Sequence, residues 1–114
     1  MKKNRAFLKW AGGKYPLIDE IRRHLPEGNC LIEPFVGAGS VFLNTEYEAY
    51  ILADINSDLI SLYNIVKLRT SDFVRDARLL FTDEFNNSEQ FYLLREEFNT
   101  TADEYRRALL FLYL

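Results

Sequence analysis

The chain has one cysteine, Cys30, so no internal disulfide can form. Its place at the head of an apolar run marks it for the core rather than for nucleophilic chemistry. Proline occurs three times, at Pro16, Pro26 and Pro34. No segment approaches the ~20 apolar residues that a membrane span needs. The first residues carry lysines but no apolar run that would serve as a signal peptide. A reducing, cytoplasmic setting is therefore expected, with no membrane partner. The triplets Asn86-Asn87-Ser88 and Asn99-Thr100-Thr101 are then chance matches to the glycosylation pattern. An excess of positive charge is also lacking: the net charge is −3, so no basic composition announces nucleic acid.

What is present is apolar and aromatic. With 114 residues, 48% hydrophobic and 15% aromatic, the chain has room for one small packed domain and is not a disordered composition. Charge is unevenly spread. Lys2, Lys3, Arg5, Lys9 and Lys14 all precede the first acid, Asp19. This basic arm on an acidic chain is either a phosphate-contacting patch or a solubilising terminus.

The central stretch is Leu31-Ile32-Glu33-Pro34-Phe35-Val36-Gly37-Ala38-Gly39-Ser40-Val41-Phe42. It reads as a short buried strand ending at Pro34, a tight glycine turn, and a helix starting near Ser40. Glycines let backbone approach a ligand closely, and a helix N-terminus offers unpaired N–H groups. A second strand, residues 50–53, ends on Asp54. An acid in that place suits a ribose diol, because a carboxylate accepts two hydroxyl bonds. The alternative for Asp54 is a helix N-cap.

Around this stretch the periodicity is helical. Leu17, Ile18, Ile21 and Leu25 form one face of a helix closed by Pro26 and Gly28. His24, in its last turn, belongs on the surface near the negative end of the dipole. A helix over about 57–69, capped by Asn56 or Ser57, is apolar around most of its circumference and should be heavily buried. Three more helices are expected, at about 71–80, 88–99 and 102 to the end, the last capped by Thr100-Thr101. Its tail, Ala108 to Leu114, is apolar on every side and must be buried in something. Two strands are too few for an independent sheet. These features predict a piece of a longer protein, with an obligate oligomer as the alternative. They also predict that the tail and the sheet expose apolar surface when the chain stands alone.

Several motifs fail on inspection. Gly12-Gly13-Lys14 is no phosphate-binding loop, since Leu8 and Tyr15 occupy positions that need glycine and a hydroxyl residue. Asp54-x-Asn56-x-Asp58 is no calcium loop, since Leu59 replaces the glycine and Ile65 the bidentate acid; no metal is expected. Gly37-x-Gly39-x-x-Phe42 lacks the third glycine of the dinucleotide fingerprint. A nucleoside ligand without a large phosphate remains. S-adenosylmethionine, with a ribose diol, an ammonium and a sulfonium, suits two carboxylates and a glycine turn. Glu33, at the end of the first strand, would face the ammonium.

Phe7-Leu8-Lys9-Trp10-Ala11-Gly12-Gly13-Lys14, Glu33 to Phe42 and Ala53-Asp54-Ile55-Asn56 closely resemble the N-terminal motifs of DNA adenine-N6 methyltransferases. More narrowly they resemble the Dam methylases that modify adenine in GATC. The resemblance covers essentially the whole chain, with the three motifs in the family's order and spacing. It implies an α/β fold, a fragment of a Rossmann-like class I methyltransferase domain (residues 1–70), followed by the start of a helical DNA-recognition domain (residues 71–114). It implies S-adenosylmethionine as cofactor and double-stranded DNA, in a bacterial nucleoid, as partner. Trp10, Lys14, Asp54, Glu33, Phe35, Gly37, Gly39 and Ser40 match the cofactor pocket, and Lys9 a position that touches DNA. One departure is large: the family's catalytic Asp-Pro-Pro-Tyr is absent. The chain is therefore expected to hold no catalytic residue, to lack the C-terminal part of its own protein, and to be inactive alone. The competing readings are a nucleotide-binding module without methyl transfer, of NAD or sensing type, and a structural helical domain.

Overall fold

A computed structural model describes residues 2–114. Among these residues ten elements follow one another, and they fall into two compact units, divided between Ile55 and Asn56.

The first unit holds the sheet. After a 3-10 turn at Tyr15–Leu17 comes α1 (Ile18–His24), then β1 (Cys30–Glu33), α2 (Ser40–Leu43) and β2 (Ala49–Leu52). Pro16 fixes its own φ and lacks an N–H, so it suits the first helical turn. Asp19 and Glu20 lie in the first turn of α1, and Arg22, Arg23 and His24 in its last, complementing the dipole. His24 is exposed, its Nδ1 2.8 Å from the carbonyl oxygen of Glu20. The strands pair in parallel, with Cys30 opposite Ala49, Ile32 opposite Ile51 and Glu33 opposite Leu52.

Two expectations about β1 need correction. The strand is not buried: Ile32 is 63% exposed and its neighbour Ile51 56%. Cys30 is likewise exposed rather than in the core. The two-stranded sheet offers apolar faces that the described residues leave open. What this unit does bury lies around the glycine turn and the helices: Ile18, Val36, Ala38 and Val41.

The second unit is all helical: α3 (Ser57–Leu68), α4 (Thr70–Leu80), a 3-10 turn at Asp83–Phe85, α5 (Ser88–Thr100) and α6 (Glu104–Tyr113). The caps explain the boundaries. Asn56 accepts from the Leu59 N–H, Asn87 from that of Gln90, and Asp103 from that of Arg106. The cap of α6 is thus Asp103, not the Thr100-Thr101 pair. Thr101 acts one step earlier, its Oγ1 accepting from the Asp103 N–H at 3.2 Å.

α6 packs against α3, α4 and α5. Ala108, Leu109 and Leu110 are buried, Phe111 to Tyr113 half-buried, and Leu114 exposed. The apolar tail is therefore largely covered within this unit, contrary to the expectation that it stands open. Its core partners include Leu59 and Leu62 of α3, both fully buried, with Phe73, Ala77, Leu80 and Leu94. α3 is less enclosed than its sequence suggests, since Leu68 is 78% exposed. Arg107 joins three segments at once. It grips Asp58 with two bonds of 2.7 and 3.1 Å, donates to the Phe98 carbonyl, and lies 4.0 Å over the Phe98 ring. Such bidentate geometry fixes register as well as adding energy. α3 falls in the same compact unit as the later helices and packs against α6.

Candidate functional site

The carboxyl ends of β1 and β2 are tied together by backbone bonds just where the sequence motifs fall. The Ala53 N–H donates to the Glu33 carbonyl at 2.8 Å, and the Val36 N–H returns to the Ala53 carbonyl at 2.9 Å. The chain then turns tightly, with the Gly39 N–H donating to Val36 at 3.0 Å. Gly37 and Gly39 have φ of +54° and +83°, in the left-handed region where a side chain is strained. At Gly37 a Cβ would also meet the Trp10 ring, 3.3 Å from Cδ1. Glycine here thus serves both the turn and the close seat of Trp10.

Asp54 does not cap α3, since Asn56 does. Instead its Oδ2 accepts from the Gly37 N–H at 3.1 Å. A carboxylate at the end of β2 therefore holds the glycine turn that follows β1. Lys14 closes the same cluster, its Nζ donating to the Phe35 carbonyl at 2.6 Å. The Phe35 ring itself is 76% exposed. Six of the eight residues singled out for the cofactor, Trp10, Lys14, Glu33, Phe35, Gly37 and Asp54, thus converge on one turn, and Gly39 and Ser40 complete it. Lys9 stands exposed in the segment that delivers Trp10.

α2 is a single turn of four residues, with Gly39 as its N-cap. It is too short to bring the dipole expected from a helix N-terminus. The polar character of the site comes from Glu33 and Asp54 instead.

Glu33 is the unusual group. It is 8% exposed, and its Oε2 is buried with no hydrogen-bond partner among the described residues. Burial pushes its carboxyl above the ordinary glutamate value, against the pull of the Lys14 charge and the Phe42 N–H. A buried carboxylate oxygen without a donor costs stability. The sign follows from proton binding: the folded state holds the Glu33 proton more tightly than the unfolded chain. Stability from this group is thus full below the ordinary value of 4.5 and declines as pH rises through the raised folded value. Glu33→Gln should be more stable than the parent at neutral pH, the difference closing toward pH 4. Thermal melts across that range check it. Asp76 is held low by bonds from Arg75 and Tyr105, and Glu97 by its bond from Arg106. Both give the opposite slope, present above their ordinary values and lost as pH falls, so the comparison must be between parent and variant.

The sequence reading missed a buried polar knot behind this site. Asn44, 2% exposed, is the C-cap of α2. Its Oδ1 accepts from the Asn4 N–H at 2.6 Å, and its Nδ2 donates to the carbonyls of Asn4 and Ser40 at 2.8 and 2.7 Å. Arg22 of α1 donates its Nε–H to the Asn44 carbonyl at 2.6 Å. Asn44-Thr45 reads only as a helix end; nothing in its spacing signals a partner forty residues earlier.

Residues 10–114 match the family model described as D12 class N6 adenine-specific DNA methyltransferase. The chain belongs to this family. Over all of its length it is 88% identical to a DNA adenine methylase of Serratia marcescens, 74% to one of Salmonella typhi and 72% to one of Escherichia coli K12. It spans 42%, 41% and 41% of those proteins, about two-fifths of their length. Membership in this D12 family displaces the NAD-type and purely structural readings. The mixed helix and parallel-strand architecture is α/β. Among the described residues no helix is long and apolar enough to cross a membrane, and no group of three or more His, Cys, Asp or Glu could hold a metal ion.

Proposed function

We propose that the whole protein carrying this chain transfers a methyl group from S-adenosylmethionine to adenine N6 in double-stranded DNA, at GATC. We further propose that residues 1–70 belong to a Rossmann-like methyltransferase domain that holds the cofactor. Residues 71–114 begin the helical domain that reads DNA. The observation that carries the cofactor assignment is the buried Glu33 carboxyl, whose unpartnered oxygen lies beside the glycine turn. An ammonium is the group that such an oxygen lacks. The cofactor's ammonium would satisfy it, and its ribose hydroxyls would meet Asp54. Trp10, Lys14, Phe35, Gly37, Gly39 and Ser40 shape the remainder of the pocket.

S-adenosylmethionine supplies an electrophilic methyl on a sulfonium. These residues bind and orient it, while the target adenine must leave the stack because its amino group is otherwise paired. No residue of this chain is assigned to grip that amino group; an Asp-Pro-Pro-Tyr elsewhere in the whole protein takes that part. The chain alone should bind cofactor weakly and transfer no methyl. Methyl transfer from labelled cofactor to duplexes with and without GATC, by the full-length protein and by this chain, tests the reading. Transfer by the chain alone, or none by the full-length protein, overturns it.

Lys9 is the residue of the basic arm assigned to DNA. Other charges of that arm are already engaged: Lys3 lies 3.5 Å from Asp19, and Arg5 stacks 4.4 Å from the centre of the Tyr15 ring. Lys9→Ala in the full-length protein should lower discrimination between GATC and an altered site by about tenfold, the scale of one base contact. A phosphate contact would instead weaken binding to both sites equally and reduce the salt slope by about one. Competition assays at two salt concentrations separate the two outcomes.

A further inference from the structure

The arm that carries Lys9 has no regular secondary structure between Lys2 and Lys14. An arm of this kind, left free, holds no side chain in one place, and ordering it on DNA would cost entropy at every encounter. It is not free. Asn4 is clasped by Asn44 through a reciprocal pair of bonds that mimics a strand ladder, 2.6 Å to its N–H and 2.8 Å from its carbonyl. The Asn4 side chain adds a third bond, to the Leu43 carbonyl at 3.1 Å. Trp10 then lies against the Gly37 turn, and Lys14 is fixed to the Phe35 carbonyl at 2.6 Å. The segment is thus a strap tied at both ends and near its middle. Lys9 sits immediately before the middle tie.

The far tie is built to last. Asn44 is buried, fully engaged, and itself held by Arg22 and by Ser40. A buried amide with every partner met specifies one arrangement, and removing any partner leaves a buried polar atom unpaired. Asn44 also ends the short helix that Ser40 begins. The same turn of backbone that closes the glycine loop therefore holds the strap.

We infer that Asn44 is a positioning residue for DNA recognition: by clasping Asn4 it pre-orders the strap that presents Lys9. The inference rests on the reading of Lys9 as a DNA contact. Its chemistry is entropic. The clasp contributes no contact to DNA and restricts the arm before DNA arrives.

The test uses Asn4→Pro in the full-length protein. Asn4 is exposed, so no apolar core contact is lost, Lys9 and Lys14 remain, and the N–H that Asn44 accepts is removed. Asn44→Ala is the companion variant, informative where it still melts cooperatively. Hydrogen exchange over residues 5–9 and site discrimination by competition are read together, beside Lys9→Ala and the Asn4→Pro/Lys9→Ala double variant. Exchange should quicken at least severalfold in Asn4→Pro. Discrimination should fall toward that of Lys9→Ala, and the double variant should be no worse than Lys9→Ala alone. Unchanged exchange would overturn the clasp. Quickened exchange with intact discrimination, while Lys9→Ala loses it, would overturn the link from clasp to recognition and leave Lys9 in place. Intact discrimination in Lys9→Ala itself would remove Lys9 from the DNA, and the inference with it.

Discussion

Asp54→Ala in the full-length protein should weaken S-adenosylmethionine binding by roughly a hundredfold or more. Two losses add. A ribose diol would give up a charged acceptor, and each charge-assisted bond is worth roughly 1.5–3 kcal/mol. The glycine turn would also lose its brace, since Asp54 Oδ2 is what the Gly37 N–H meets at 3.1 Å. Gly37 sits at a φ of +54°, open to glycine among many others, and this bond helps to select it. Asp54→Asn separates the two effects. It keeps an oxygen for Gly37 while surrendering the charge and one acceptor. Calorimetry should therefore rank the parent tightest, Asn next and Ala last. Equal affinity in all three would take Asp54 out of the cofactor site. Equal losses in Asn and Ala would assign its whole contribution to the charge.

The glycine turn was legible in the sequence because its constraints are local. A strand that stops at a proline, two glycines and an acid at the end of the next strand leave few conformations, and the bonds among Glu33, Val36, Ala53 and Asp54 follow. Helix positions were legible for the same reason. Their caps were less so: Asn, Thr and Asp all qualify, and Thr101 and Asp103 stand close enough to exchange roles. Burial was the poorest guide. An apolar strand announces two faces that want covering but not what covers them, which is why β1 and Cys30 read as buried yet stand exposed. Conversely, the tail of α6 looked uncovered because its partners, α3 and α5, lie earlier in the chain. The Asn44 knot was invisible for a related reason. Its bonds to Asn4 span forty residues, and asparagine at a helix end ordinarily signals nothing beyond the end.

The glycine-turn site also carries a cost that the other described residues of the unit do not share. Glu33 faces inward with an oxygen unpaired, while Asn44, also buried, meets all its partners. A structural buried polar group resembles Asn44. A group kept for a ligand resembles Glu33, because its missing partner arrives with the ligand. The cofactor should therefore stabilise the fold more in the parent than in Glu33→Gln, where no orphaned charge remains to be met.

Leu110→Ala should destabilise the helical unit by about 2–5 kcal/mol, the range for emptying a fully buried leucine site. Leu110 is 0% exposed in α6, which packs against α3, whose Leu59 and Leu62 are also 0% exposed. Truncation there leaves a cavity that three helices would have to move to fill, and the Arg107–Asp58 and Arg107–Phe98 bonds one turn earlier hold them in register. Relaxation is therefore limited, and the cost belongs toward the upper part of the range. Four residues further on, Leu114 is 41% exposed, and Leu114→Ala should cost well under 1 kcal/mol. Urea unfolding of the two variants, followed by far-ultraviolet circular dichroism, measures the contrast. A large difference means that the apolar tail is core for the helical unit as it stands. Small and equal effects would mean that α6 docks loosely, and that its burial needs surface beyond these helices.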